Sequence, residues 1–339
     1  FVFNNKELND DELANLFEEV EYINNNKPIT FFEILTASYF YKAAQYPENI
    51  NLIEAGLFHR FDATNVLKRN LASVICSCSV DHTDWLSKNE KTIEKIVFEK
   101  TSALLNSNII VAKQSTKHTM DCIKRTISQN QSRKKFFNDN FRYSFYENDF
   151  FYYEDELGRL KLPFPNVPGQ FQLDNISAAI ATLKSLNLDI KVEHIKKGIT
   201  KISNLARLQE IKSGKLKDLV KNNKLIVDGT HNEDGARVLN EYLKSLNCKK
   251  HVIISMMANK EHEKYISYFR DVSSITTIDL KSQPNSISGK DLKKKFKAMP
   301  NVQYQPGIIE AIKSINLKEG DLLLITGSLY GAAEALSLN

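Results

Sequence analysis

Carboxylate and imidazole side chains follow two apolar segments of this sequence, where a parallel α/β sheet would bind ligands at its carboxyl edge. Glu54 ends one apolar run, and the polar segment Arg60–Asn65 follows it. Asp81 and His82 come directly after a second run, Ala72–Val80. Carboxylate oxygen and imidazole nitrogen at one edge suit a divalent cation, with Mg²⁺ favoured when phosphate is also bound. A capped surface loop and an ordinary loop histidine are the alternatives.

The second half of the sequence contains two further polar segments at predicted strand ends. Asp228-Gly-Thr-His-Asn232 lies between an apolar strand and a helix, where backbone N–H groups and the helix N-terminus favour anions. Thr326-Gly-Ser328 repeats this pattern after the last apolar strand. A helix cap on a tight glycine turn is the alternative for both segments. Lys100 lies within a predicted helix, where a lysine is ordinarily solvated.

None of the twelve glycines lies in a GxxxxGK[ST] pattern, so these residues contain no P-loop. Binding of ATP would need that element from outside the sequence given. We expect it immediately before Phe1, and we favour a truncated chain over a protein that has lost the element. As given, the chain is therefore expected to have negligible activity in any reaction that consumes ATP.

Composition limits the class of protein. The 339 residues suffice for two domains. The net charge is only +5, and the sequence lacks the basic residues interleaved with aromatic residues that are typical of a nucleic-acid surface. We therefore expect no nucleic acid as a partner. Small-molecule substrates are compatible with this charge, and a monomer is the expected oligomeric state. The four cysteines form neither a disulfide framework nor a CxxC pair, which favours the cytoplasm. No apolar run approaches the ~20 residues that span a bilayer, so no membrane partner is expected.

Strands that alternate with helices predict a doubly wound α/β fold with parallel sheets. Residues 50–54 and 72–80 are predicted strands at the first candidate site. Thr30 is predicted to cap a helix over Phe31–Ala43, which is apolar nearly all round and is therefore expected to be buried. Dense aromatic residues over Phe136–Pro163 predict a small antiparallel addition. The βα alternation beyond residue 203 predicts a Rossmann-like domain.

In their order and spacing, the motifs resemble the folylpolyglutamate synthase/dihydrofolate synthase family, a branch of the Mur-type ATP-dependent amide ligases. The matching segments are Thr30–Ala37, Glu54–Leu57 with Arg60–Asn65, Asp81-His82 with Leu86, Glu99-Lys100, Pro168-Gly169 with Gln172 and Asn175, Arg207–Gln209, Asp228–Asn232 and Thr326–Tyr330. The resemblance implies a P-loop-type ATPase domain over residues 1–202, without its N-terminal P-loop part. A Rossmann-like glutamate ligase domain would follow over residues 203–339.

The activity that the resemblance implies joins the carboxylate of dihydropteroate or a folate to L-glutamate through an acyl phosphate, with ATP and Mg²⁺. Glu54 and His82 would bind the metal, Lys100 would be a carbamylated lysine, and His231 would contact phosphates or substrate. The other implied contacts are Asn175, Arg207 and Asp228 for ATP, Phe61, Asp62 and Ala63 for the pterin, and Ser328 for the incoming glutamate.

Several positions depart from the family pattern. Phe58-His59 stands where the family has Gly-Gly, and Asn259-Lys-Glu261 stands where it has Asp-Lys-Asp. The first departure leaves the choice between dihydropteroate and folates open. A non-catalytic folate- or nucleotide-binding relative and another Mur-type amide ligase remain as alternative functions.

Overall fold

The computed structural model describes residues 1–3, 6–147, 149–296, 299 and 301–339. The chain begins with a short antiparallel pair, β1 (Val2–Phe3) and β2 (Lys6–Glu7), and two helices, α1 (Asp10–Ile23) and α2 (Phe31–Ala43). Each helix starts with a capping box, Asn9 with Glu12 and Thr30 with Glu33. The predicted cap and bounds of α2 are thus confirmed.

The predicted burial of α2 is wrong. Phe31 is 75% exposed and Phe32 is 41% exposed, and the buried positions are Thr36, Ser38 and Ala43. In the described part of the chain, α2 packs chiefly against α1, with the ring of Tyr39 stacked on Phe3. Only part of the apolar circumference of α2 therefore finds a partner.

The first parallel sheet has the order β3 (Ala72–Ile75), β4 (Asn108–Val111) and β5 (Arg133–Phe136), with α3 (Ile93–Thr101) and α4 (Lys117–Thr126) between the strands. The prediction of a strand over residues 50–54 is wrong. These residues form a loop, and Leu52 is 91% exposed. Among the described residues β3 pairs only with β4, so residues 50–54 have no strand partner to satisfy their backbone groups.

The second predicted strand, residues 72–80, is correct only in its first four residues. Beyond Ile75 the side chain of Gln114 replaces a neighbouring strand: its Oε1 accepts from Cys78 N–H at 2.9 Å, and its Nε2 donates to Cys76 O at 3.1 Å. The backbone therefore leaves the sheet and leads into Asp81 and His82.

The predicted antiparallel addition is confirmed as a meander of β6 (Phe141–Glu147), β7 (Phe150–Asp155) and β8 (Gly158–Pro163). Helices α5 (Phe171–Ser185) and α6 (Val192–Thr200) follow, and their apolar faces share one core with the meander and with β4.

The rest of the chain forms a six-stranded sheet in the order β13-β12-β11-β14-β10-β9. All neighbours are parallel except β9, an antiparallel edge strand that the sequence did not predict, like the short α7 after it. Buried side chains line both faces of the sheet. The elements are β9 (Gln209–Ile211), α7 (Lys215–Val220), β10 (Lys224–Val227), α8 (Glu233–Lys244), β11 (Lys250–Ile254), α9 (His262–Ile266), β12 (Ser274–Ile278), α10 (Gly289–Lys295), β13 (Val302–Gln305), α11 (Ile308–Ser314), β14 (Leu322–Thr326) and α12 (Leu329–Leu338).

The order of this sheet fixes the second candidate site. Because β14 lies between β10 and β11, the segments that follow β10 and β14 leave the same edge side by side. Asp228 N–H donates to Ile325 O at 2.9 Å, which extends the pairing by one residue. The predicted α/β fold with parallel sheets is confirmed. No helix in the described ranges is long and apolar enough to cross a membrane.

Candidate active site

The loop from Ala55 to Asn65 is organised by Asp62, which is 9% exposed. Its Oδ2 accepts from Leu57 N–H at 2.7 Å, and its Oδ1 accepts from Thr64 N–H at 3.0 Å and from the Thr64 hydroxyl at 2.5 Å. Burial raises the pKa of Asp62, but the hydrogen bonds from Thr64 and the backbone outweigh it, so the pKa is lowered. Because both oxygens are engaged, this carboxylate sets the shape of the loop.

A bidentate ion pair holds the same loop on α3. Arg60 donates from Nε and Nη2 to the two carboxylate oxygens of Glu99, each at 2.8 Å, and Arg60 N–H donates to Glu99 O at 3.0 Å. Glu99 is 6% exposed, and Arg60 lowers the pKa of its carboxyl group despite burial. Phe61, in contrast, is 84% exposed, with the Arg60 guanidinium 4.3 Å from its ring centre. An exposed ring on a fixed loop can stack on a flat ligand.

Phe58, His82 and Lys100 meet at the carboxyl end of β3. The Phe58 ring lies edge-on to the His82 imidazole with centroids 6.0 Å apart, and Lys100 Nζ lies 5.8 Å from the Phe58 centroid. Phe58 and His82 both have left-handed backbones, with φ of 55° and 56°, a conformation that costs a non-glycine residue of order 1 kcal/mol. Burial lowers the pKa of His82, as do the cations around it, so the imidazole is neutral at pH 7.

Glu54 and Lys100 are brought close to the same strand end. Burial raises the pKa of the Cys76 thiol, the charge of Glu54 raises it further, and that of Lys100 lowers it, which places both charges within electrostatic range of Cys76. Neither Glu54 nor Lys100 makes a hydrogen bond or ion pair with any described residue. A carboxylate, a neutral imidazole and an ammonium group therefore remain available to a ligand here.

Asp81 connects the two halves of the chain. Its Oδ2 accepts from Asn232 Nδ2 at 2.8 Å, and its Oδ1 accepts from Lys260 Nζ at 3.1 Å and from His82 N–H at 2.8 Å. Burial raises the pKa of Asp81, but these partners outweigh it and lower the pKa to about 2. A second contact joins Asn259 Nδ2 to Asp84 Oδ2 at 2.9 Å. A narrow cavity of about 30 Å³ lies among these residues.

His231 faces Asp81 across this junction. Its Nδ1 lies 3.0 Å from Gly229 O, an acceptor, so Nδ1 carries the proton and Nε2 carries the lone pair. Nε2 lies 3.8 Å from Asp81 Oδ2. Burial lowers the pKa of His231, and Lys260 lowers it further, so the imidazole is neutral at pH 7. The structure therefore brings His82 and His231 to the same carboxylate.

Asp228 is 2% exposed and joins two segments of the second site. It accepts from Leu208 N–H at 2.8 Å and from Thr230 N–H at 2.9 Å. Ala206 and Leu208 have φ of 55° and 49°, so the backbone on both sides of Arg207 is left-handed. Asp228 therefore positions Arg207, and its own oxygens are already paired.

The remaining candidates are separate from these clusters. Ser328 is 2% exposed and caps α12, its hydroxyl accepting from Tyr330 N–H at 3.1 Å, which is the cap interpretation of the sequence. Asn175 lies exposed on α5. Arg207 lines a cavity of about 430 Å³ between residues 165–168 and β9, and neither Asn175 nor Asp228 lines it. The three ATP candidates thus do not share one cavity in this structure.

Sequence reasoning missed the partners that hold the site together. Asp81 pairs with residues 151 and 179 positions away, and Arg60 with a carboxylate 39 positions away. Spacing along the chain gives no signal for such pairs. The resemblance supplied one indirect signal, since it included Arg60 and Glu99 as parts of separate motifs.

Known proteins with a similar sequence or fold indicate the class of protein to which this fold corresponds. The family described as "Mur ligase, glutamate ligase domain" matches residues 214–329. Over the whole chain, the fold superposes on the structure of Escherichia coli FolC in complex with ADP with a TM-score of 0.86 at 23% identity, covering 98% of this chain and 77% of that one. The folylpolyglutamate synthase/dihydrofolate synthase from Yersinia pestis, complexed with AMPPNP and Mn ion, gives 0.85 at 22% identity with the same coverage. The chain has the fold of a Mur-type ligase.

Sequence relatives narrow this class. The dihydrofolate synthase/folylpolyglutamate synthase of Haemophilus influenzae is 26% identical over 337 residues, which is 92% of this chain and 73% of that protein. The enzyme of the same name in Bacillus subtilis is 25% identical over 317 residues, 89% of this chain and 70% of that protein. The resemblance to the folylpolyglutamate synthase/dihydrofolate synthase family is confirmed.

Proposed function

We propose that this protein is an ATP-dependent ligase that forms an amide bond between the carboxylate of dihydropteroate or a folate and the amine of L-glutamate. The observation that carries the proposal is the meeting of Glu54, His82 and Lys100 with His231 and Lys260 across one junction, in a chain whose relatives bear the names of this activity. A carboxylate is a poor acyl donor, and ATP converts it to an acyl phosphate that the amine can attack.

The residues present fit a hard divalent cation. Glu54 and the His82 imidazole are free of hydrogen-bond partners within the described ranges, and His82 is neutral, the form that binds metals. We propose that these two residues hold Mg²⁺, which when bound neutralises charge on the transferring phosphoryl group. The crystal structure of the Yersinia pestis enzyme is described as complexed with AMPPNP and Mn ion.

Two lysines and a histidine lie close to the proposed positions of the metal and the phosphate. Lys260 is fixed by Asp81 next to the two neutral histidines, so it would present a positive charge where phosphate oxygens arrive. Lys100 has no anionic partner among the described residues, as expected of a lysine whose amine would react with CO₂, losing a proton, to give an anionic carbamate near the metal. His231, with its Nε2 lone pair at the junction, would accept a hydrogen bond or a proton there.

We propose different roles within the pterin and ATP candidates. Phe61 stacks on the pterin ring beside Ala63, and Asp62 acts indirectly by fixing the loop. Arg207 and Asn175 contact ATP, and Asp228 positions Arg207. Ser328 orients the start of α12 near the glutamate site.

Phe58 is the proposed determinant of substrate preference. Its left-handed backbone is the conformation that glycine adopts at low cost, which accounts for the glycine of the family at this position. The ring of Phe58 lies beside both His82 and Lys100, so it would narrow the space in which the substrate carboxylate must lie. Phe58→Gly should therefore change relative rates among substrates of different size.

We propose a domain boundary at residue 202/203, and the elements on each side support it. α6 ends at Thr200, and β9, the first strand of the second sheet, begins at Gln209. We also propose a monomer that uses small-molecule substrates, binds no nucleic acid, and works in the cytoplasm, where its four free cysteines would stay reduced.

The test is a substrate panel with the full-length product of the gene. Dihydropteroate, tetrahydrofolate and its polyglutamates would each be incubated with ATP, Mg²⁺ and L-glutamate, and phosphate release would be measured with glutamate omitted as the control. Glutamate-dependent release with at least one pterin supports the proposal. Pterin or nucleotide binding without turnover would favour the non-catalytic alternative, and release with only another carboxylate would favour a different Mur-type ligase.

A further inference from the structure

Three side chains with metal-binding atoms converge outside the candidate active site, between α3 and α4. They are Glu94 near the start of α3 and His118 and Cys122 on α4. One ligand atom from each lies within 4.8 Å of the other two. Cys122 is 3% exposed, whereas Glu94 and His118 are exposed, so the cluster is closed on the protein side and open to solvent on the other.

The helices account for the convergence. Residues four positions apart on a helix lie one above the other, which places His118 and Cys122 on the same face of α4. α3 packs against this face and supplies Glu94. His118 Nε2 lies 3.7 Å from Cys122 Sγ and 2.5 Å from Glu94 Oε1.

The distance between Cys122 Sγ and His118 Nε2 is close to that of a tetrahedral zinc site. With Zn–S of about 2.3 Å and Zn–N of about 2.0 Å, sulfur and nitrogen ligands lie about 3.5 Å apart. The pair on α4 is already within a few tenths of an ångström of that spacing. Glu94 would have to retreat by roughly 0.8 Å to reach the matching N···O distance. Its exposed side chain can do so by rotation.

We propose that Glu94, His118 and Cys122 form a binding site for Zn²⁺, with a water molecule in the fourth position. Sulfur and imidazole donors select Zn²⁺ over Mg²⁺, so this site and the candidate Mg²⁺ site differ in the ion they prefer. Binding releases the Cys122 thiol proton to solvent, since the thiolate is the ligand. The ion would fasten the start of α3, the helix whose other end carries Glu99 and Lys100, to α4.

Arg125 gives the proposal a distinctive consequence. Its Nη2 donates to Cys122 Sγ at 3.2 Å, so the guanidinium lies where it would repel an arriving cation. Binding must displace it. Arg125→Gln should therefore tighten zinc binding, a change in the opposite direction from that of the ligand substitutions.

The experiment is a titration of the full-length protein with Co²⁺, with Mg²⁺ in excess and in the absence of thiol reagents. We expect one equivalent of Co²⁺ to give near-ultraviolet thiolate-to-metal absorption, and one equivalent of Zn²⁺ to abolish it. Cys122→Ser should remove the absorption. His118→Gln and Glu94→Gln should each weaken Zn²⁺ by at least the ~10–100-fold typical for lost outer-shell partners.

Cys248→Ser is the matched control, because Cys248 is another free cysteine and is distant from the cluster in the sequence. The Co²⁺ absorption of this variant should match that of the wild type. No thiolate absorption, or unchanged affinity in both His118→Gln and Glu94→Gln, would overturn the proposal. So would loss of the absorption in Cys76→Ser with retention in Cys122→Ser, which would place the ion at the end of β3.

Discussion

Asp62→Asn tests how the candidate pterin loop is held. The Asp62 carboxylate accepts three hydrogen bonds, two from Thr64 and one from Leu57 N–H. An asparagine amide has one acceptor oxygen, and its NH₂ group would face a donor, so at least one half-buried N–H loses its partner. Loss of a hydrogen bond to a charged group that leaves a buried donor unpaired costs about 1.5–3 kcal/mol. We expect Asp62→Asn to lower the free energy of unfolding by about 2 kcal/mol.

The assay is urea unfolding of Asp62→Asn beside Asp139→Asn. Asp139 also pairs with a cation, Lys124 at 2.6 Å, but both side chains are exposed, so its loss should cost much less. In the full-length enzyme, Asp62→Asn should raise KM for the pterin substrate more than KM for ATP, because the loop carries Phe61.

The stability that the Asp62 carboxylate contributes should depend on pH in a definite direction. The pKa of Asp62 is lower in the folded chain than the value of about 3.9 for an unfolded aspartate. Its carboxylate therefore contributes stability above that pH, and the contribution is lost as pH falls through the folded pKa. The gap in stability between wild type and Asp62→Asn should shrink below about pH 4. A gap under about 0.5 kcal/mol at neutral pH, or a gap that does not change with pH, would refute this reasoning.

Three further predictions concern the active site and its supports. In the full-length enzyme, Lys100→Ala should lower kcat by about 10²-fold or more, and a loss of only a few-fold would remove Lys100 from the chemistry. Asp81→Asn should lower kcat and the urea midpoint more than Asp84→Asn, because Asp81 accepts from two side chains of the second half and Asp84 from one; equal effects would contradict this. Gly327→Ala should cost more than Gly158→Ala in unfolding free energy: both have positive φ, but only at Gly327 would the new Cβ lie 2.5 Å from a backbone carbonyl. Similar losses would show that backbone strain alone decides.

Local sequence patterns correctly predicted the helices and strands that depend mainly on residues close together in the sequence. The cap of α2 follows from Thr30 and Glu33, three residues apart, and the five parallel strands of the second sheet follow from short apolar runs bounded by polar turns. The Asp228–Asn232 segment was placed correctly because the strand before it and the helix after it both have strong patterns.

Properties that depend on distant neighbours were not predictable. The residues from Ile50 to Glu54 have the composition of a buried strand, yet a strand also needs a paired neighbour, and the described residues provide none. Phe31 on α2 is apolar but exposed, because its burial also depends on residues distant in the chain. The resemblance implied that Asp62 and Asp228 contact ligands, but whether an aspartate faces a ligand or its own loop depends on which N–H groups the backbone turns toward it.

The proposed reaction at this site joins a pterin carboxylate to glutamate at the expense of ATP. The most direct measurement is mass spectrometry of the pterin product after incubation of the full-length gene product with ATP, Mg²⁺ and L-glutamate. We predict a product heavier by one glutamyl residue, formed in step with ADP and absent from Lys100→Ala. Unchanged dihydropteroate and folates in the presence of a folded, nucleotide-binding protein would contradict the proposed ligase function.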